Sequence, residues 1–132
     1  MISTVKAAAI DQLKDDTAVK ALLGGEFVYP GHFAGTQKIP GCYVTGSDRT
    51  APRPGYMTSR HRDVEAELVV NAFHAGTAKQ ADDLATAVDT CLAGSPLANT
   101  HGWQSRTTEQ FEEDSRLHHR TVRFEFSYSL QD

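Results

Sequence analysis

Six histidines, two cysteines and a row of carboxylates are the side chains through which this chain would do chemistry. The histidines are His32, His61, His74, His101, His118 and His119. None stands in an HxxxH or HExxH pair, and none joins a cysteine at zinc-finger spacing, so no metal is expected. His118 and His119 are neighbours on a β-prone run, where successive side chains leave by opposite faces and cannot hold one ion together. All six read as surface or rim histidines. Cys42 and Cys91 form no CxxC motif. They fall on a strand and on a helix stripe, where cysteine behaves as a small buried hydrophobe. No GxSxG elbow, P-loop or GxGxxG is present, and Gly24-Gly25 reads as a helix stop. A glycosidase-type carboxylate pair needs only spatial proximity. Glu65 and Glu67, however, alternate with core residues, the ordinary pattern of a sheet's solvated face. No catalytic residue and no cofactor is assigned. The other reading of Glu65 and Glu67 is a face that lines a channel or meets a neighbouring subunit.

The elements that must position these groups are legible from periodicity. Val64, Ala66, Leu68, Val70 and Ala72 alternate with Glu65, Glu67 and Asn71, the signature of a half-buried strand. After His74-Ala75-Gly76 the period changes to helical, with Ala78, Ala81, Ala85, Val88 and Leu92 on one stripe and Leu84 and Cys91 widening it. Thr77 is the expected N-cap and Gly94 the stop, which places a helix over about 77–93. Towards the N-terminus, Ser3 caps a helix carrying Val5, Ala8, Ala9, Ile10 and Leu13. Asp16 or Thr17 then caps a short turn ending at Gly24-Gly25. Phe27 to Pro30 reads as a short extended segment that proline confines to an edge or a strand end. Gly31 to Gly41 reads as a loop and Cys42 to Thr45 as a short strand. Ser95 to Ser105 reads as an irregular connection that holds Trp103. The chain closes on its longest strand pattern, Val122 to Leu130, with a hairpin partner around Phe111. The expected fold is α+β: an antiparallel sheet with a long hairpin, the N-terminal helix and the second helix packed on one face.

Residues 46–62 carry almost no aliphatic side chain and cluster Arg49, Arg53, Arg60 and Arg62 around Tyr56. Flanked by strands, this stretch reads as the extended tip of a hairpin. It is a solvated loop, or a contact arm of the kind arginine and tyrosine favour at interfaces. DNA-backbone contact ranks third, because a wider basic field is missing and the net charge of −4 argues against a dedicated nucleic-acid binder. The 132 residues, with 39% apolar and 23% charged, suit one domain over 1–132 that buries its own core. No signal-peptide form and no run approaching ~20 apolar residues is found, so a reducing cytoplasm is expected and no membrane partner.

The order of these parts resembles the tail-completion, or tail-terminator, proteins of long-tailed, siphovirus-like phages and related proviruses. The resemblance rests on an N-terminal helix, then Asp16 to Pro30 as a short helix, glycine and tyrosine-proline. It continues through Ile39 to Val44 as a proline-led strand, Val64 to Ala85 as a strand-to-helix unit, and Leu117 to Tyr128 as the closing strand. Where that family continues its first strand with aromatic and polar residues, this chain has Ser47 to Ser59 with its prolines, glycine and arginines. The resemblance implies a non-enzymatic virion protein that forms a ring, commonly a hexamer, at the head-proximal end of the tail tube. There it would end tube polymerisation and join the tail to the head connector. Implied partners are other copies of itself, the tail tube protein, the head connector or adaptor, and genome DNA passing without sequence-specific binding. Its place would be the virion tail or neck, with host cytoplasm during assembly. On this reading Arg49, Arg53, Tyr56, Arg60 and Arg62 make subunit or connector contacts, and Glu65 and Glu67 face the channel. The rivals are a head-side connector or adaptor, for which a mainly helical core is expected, and a small α+β enzyme using the Gly31–Gly41 loop and the histidines. A toxin–antitoxin or regulatory module has no residue-level support.

Overall fold

The computed structural model of the chain describes residues 2–31, 41–48, 61–93, 100–112 and 117–131. Helix α1 spans Ile2–Asp15 and places Val5, Ala9 and Leu13, spaced four apart, on one buried stripe. A new cap starts α2, Thr17–Leu23: the Asp16 carboxylate accepts from the Val19 N–H at 3.0 Å, so aspartate rather than threonine is the N-cap. Gly24, at φ 75°, ends α2 and donates its N–H to the Lys20 carbonyl at 2.8 Å. That left-handed conformation is one glycine adopts without steric cost.

Five strands follow: β1 Val28–Pro30, β2 Gly41–Asp48, β3 His61–His74, β4 Thr100–Glu112 and β5 Leu117–Gln131, with helix α3, Ala78–Ala93, between β3 and β4. They form one sheet in the order β1-β2-β3-β5-β4. β2, β3, β5 and β4 are antiparallel neighbours, and β1 is a short parallel edge strand ending at Pro30. The expected α+β architecture is therefore the observed one.

The helices occupy one side. Val5, Ala9 and Leu13 of α1 and Leu84, Ala85, Val88 and Leu92 of α3 share a core with Val44, Leu68, Val70, Val122 and Phe124 of the sheet. Leu68 and Phe124 face one another across β3 and β5 and are fully buried. Truncating such a leucine to alanine costs about 2–5 kcal/mol. Close approach is built in at Gly46, where a β-carbon would lie 3.1 Å from Ile2 Cγ1 of α1.

Four expectations change in detail. β2 continues through Gly46 to Asp48, and β3 begins at His61, so both strands reach into the stretch read as a loop over 46–62. β4 begins at Thr100, inside the span read as irregular from Ser95 to Ser105. Its N-terminal part shows no apolar alternation because it is an edge strand, and a register shift between His101 and Gln104 breaks the period. Ala78 is exposed, so the buried stripe of α3 starts at Ala81. Thr77 does cap that helix: its Oγ1 accepts from the Gln80 N–H at 3.2 Å while Gln80 Oε1 accepts from the Thr77 N–H at 2.9 Å.

Candidate functional site

With the helices on one side, the other face of the sheet holds the odd-numbered residues of β2, β3 and β5. The ladder sets them in rows. Thr45, Val69, Arg123 and Arg106 share one row, and Ser47, Glu67, Glu125 and Gln104 the next. Glu65 stands beside Ser127 in the row beyond. Glu65, Arg123, Gln104 and Arg106 are exposed, and Glu67 and Glu125 are half-buried. Glu67 and Glu125 are directly opposite each other, an arrangement that destabilises a sheet unless a cation relieves it. Arg123 supplies that relief, with Nε 3.6 Å from Glu67 Oε2. The result is a band in which carboxylates and guanidinium groups alternate on an otherwise polar surface.

Towards the other end of the same face the chemistry changes. Asn71 Oδ1 accepts from the Thr121 hydroxyl at 3.1 Å and contacts His119 Nε2 at 2.9 Å. Because a carbonyl oxygen only accepts, Nε2 carries the imidazole proton. The His119 ring stacks on Phe73 at 4.3 Å, Phe73 meets Tyr43 edge to face, and Tyr43 stacks on Tyr29 at 5.4 Å. His119 is thus a buried, stacked and hydrogen-bonded residue, a correction to its reading as a rim histidine. Its immediate neighbour in sequence does differ in surroundings: His118 is half-buried and pairs in register with His74. Burial, and then the nearby His118, push His74 below its ordinary value.

Of the residues expected to make contacts, Arg49, Arg53, Tyr56 and Arg60 lie outside the described residues. Arg62 belongs to β3 and pairs in register with Leu130. Glu65 and Glu67 do share the open face, and the tertiary structure adds Glu125, Arg123 and Arg106 beside them. The alternation of β5 is plain in its periodicity, but partners across the strands are set by register, which periodicity does not specify.

The helix side holds two polar contacts that were not foreseen. Arg120, only 2% exposed, has Nε 2.6 Å from Asp82 Oδ1 of α3 and donates through Nη1 to the His119 carbonyl at 3.2 Å. Its even number, in phase with Val122 and Phe124, was the available signal. Tyr128 donates its hydroxyl to Asp48 Oδ1 at 2.6 Å, and burial followed by that hydrogen bond pushes its phenol up to about 12. Burial alone pushes the Cys42 thiol up to about 12, and burial followed by the nearby Asp16 pushes Cys91 up to about 11. Such thiols are poor nucleophiles at neutral pH. Both cysteines are free, and the half-buried Cys91 ties α3 to α1, its carbonyl accepting from Gln12 Nε2 at 2.8 Å. Among the described residues no group of three His, Cys, Asp or Glu could hold a metal ion, and no helix is long and apolar enough to cross a membrane.

Comparison with known proteins bears on what such a surface serves. A family model described as "Tail completion protein gp17" matches residues 7–129. Among solved structures 23 chains match this one. One comes from the "Virion of native gene transfer agent (GTA) particle", with a TM-score of 0.71 at 20% identity, covering 98% of this chain and 98% of that one. At that identity the likeness shows a shared fold. No curated protein matches the sequence.

Proposed function

We propose a function from one premise: the chain belongs to the tail completion protein gp17 family. It is a structural component of a phage-type tail. Its work is to form a ring, a hexamer in the simplest reading, on the head-proximal end of the tail tube. The ring ends tube growth and offers the surface on which the head connector docks. Such a ring is closed and heterologous, so every subunit needs two different complementary patches. The arginine-rich stretch with Arg49, Arg53, Tyr56, Arg60 and Arg62 is one contact, towards a neighbouring subunit or the connector. The open sheet face is the channel wall, where Glu65 and Glu67, joined by Glu125, keep passing DNA from adhering by repelling its phosphates.

The observation that supports this reading most is the one-sided packing of the sheet. Three helices fill one face with core, while the other presents a band of charged and polar side chains. A face of that kind suits an aqueous channel better than a further buried layer. The test is a mass measurement of the purified full chain, followed by imaging of particles made with and without it. Without the protein, overlong tail tubes or unjoined heads and tails are expected. Normal particles in its absence overturn the reading.

A further inference from the structure

The turn from β3 into α3 hangs on the lone pair of one imidazole nitrogen. His74, the last residue of β3, accepts the Gly76 N–H on Nδ1 at 2.9 Å. An acceptor nitrogen carries no proton, so the neutral ring holds its proton on Nε2. The start of the helix occupies the same spot. A β-carbon on Gly76 would meet both Gln80 Oε1 and His74 Cε1, so the imidazole and the Gln80 side chain crowd one glycine together. Gln80 Oε1 accepts from the Thr77 N–H and Thr77 Oγ1 from the Gln80 N–H, while the Thr77 carbonyl takes the Ala81 N–H at 3.2 Å. Ring, turn and cap form one hydrogen-bonded unit.

The charges around His74 oppose a proton on Nδ1. His118 of β5 stands directly opposite it, and Arg120, on the same face of β5, is opposite Ala72. Across antiparallel strands, direct and diagonal neighbours of this kind are within reach of one another. Asp82 of α3 holds the Arg120 guanidinium, Nε to Oδ1 at 2.6 Å. The N–H groups at the start of α3 add partial positive charge. Further along that helix Lys79 and Asp83 pair with each other at 3.7 Å, with Lys79 86% exposed. On β4, one strand further from His74, Phe111 is level with His118 and Glu109 with Arg120. His119 leaves by the other face of the sheet, where it meets Asn71. A charged His74 ring thus loses its bond to Gly76 and pairs with no carboxylate among the described residues.

We propose that His74 is an acid-released latch: protonation of its Nδ1 frees the Gly76 N–H and loosens the first turn of α3, while the sheet and the helix beyond Asp82 stay folded. The boundary is set by the Asp82–Arg120 bond, which ties the second turn of α3 to β5 through a buried guanidinium. Ala81, 1% exposed in the closed form, is the buried residue that opening uncovers. His118 sets the working point, because a neighbour that also takes a proton makes the second proton harder to add. The device stands apart from the ring reading and holds whether or not a ring forms.

An NMR titration of the isotope-labelled full chain from about pH 8 to about pH 5, the range in which imidazoles charge, tests it. The amide signals of Gly76, Thr77 and Gln80 are expected to move with the His74 ring, at one shared midpoint below 6.5. Those of Val88, Leu68 and Phe124 are expected to stay in place. His74→Asn offers an oxygen that accepts from the N–H two residues on and does not titrate, so the three cap amides should lose their pH response. His74→Phe has no acceptor and should show the open-form signals already at the alkaline end. His118→Phe should raise the midpoint. Cap amides that still titrate in His74→Asn place the switch on another group and overturn the proposal. Leu68 and Phe124 amides that shift together with the cap also overturn it, since the sheet is then unfolding with the turn.

Discussion

Arg120 is fully enclosed by the core yet its partner Asp82 is mostly solvent-exposed on α3, so the two sides of this ion pair respond differently to removal. Asp82→Ala strips the carboxylate from a buried guanidinium and is expected to cost about 2 kcal/mol. Arg120→Met replaces the charge with an apolar side chain of similar length and is expected to stay within about 1 kcal/mol of wild type. Urea unfolding of the two variants at neutral pH measures the contrast; equal losses would mean that the guanidinium acts through packing alone. The Tyr128 phenol gives a second residue-level prediction. Its pKa is raised from 10.0 to about 12, so between those values the folded chain holds a proton that the unfolded chain has released. Stability contributed by this group is complete below pH ~10 and is lost as pH rises through the folded value. Cys42, raised from 9.0 to about 12, adds loss in the same direction from a lower starting pH. Tyr128→Phe should cost about 1 kcal/mol at pH 8 and flatten the alkaline slope, as read from denaturation midpoints.

At the scale of elements, the passage from β3 into α3 is the most tightly specified stretch of the chain. The Gly76 N–H donates to His74 Nδ1 at 2.9 Å, and the Thr77–Gln80 capping box follows at once. A β-carbon on Gly76 would collide with Gln80 Oε1 and lie 2.8 Å from His74 Cε1. Thr77→Ala is therefore expected to lose about 1 kcal/mol. Gly76→Ala should lose a similar amount by displacing Gln80 from its cap. The His74 acceptor requires a neutral ring. Because its folded pKa is depressed below 6.5, its contribution is present above that pH and is lost as pH falls through the folded value. A His74→Phe variant, lacking the acceptor, should show a weaker acid dependence in thermal melts. Boundaries at this scale were legible where a capping residue or glycine marks them, as at Asp16, Gly24 and Thr77. They were not legible at Thr100, because Gly102 and the register shift between His101 and Gln104 interrupt the period at the start of this edge strand.

For the whole molecule the deciding feature is asymmetry between the faces of one sheet. Changing Glu65 and Glu67 to lysine alters only the open face, whose charge the channel reading depends on. Particles carrying both substitutions are expected to assemble and to release DNA more slowly, because the wall now attracts phosphate. Glutamine at both positions should behave close to wild type and separates charge from the loss of the Glu67–Arg123 pair. Unchanged ejection by the lysine variant would remove the channel assignment.

Local pattern alone determined the class of fold, the helices and the inward face of β3 and β5, because burial imposes a period of two or of nearly four on neighbouring residues. It also carried the family resemblance, through the order of parts. Only the tertiary structure decided which strands are neighbours and at what register. That is how Glu125 and Arg123 come beside Glu67, why His119 is buried against Phe73 and Asn71, and why Arg120 reaches Asp82. These contacts join residues at least 38 positions apart, a separation that no local periodicity reports.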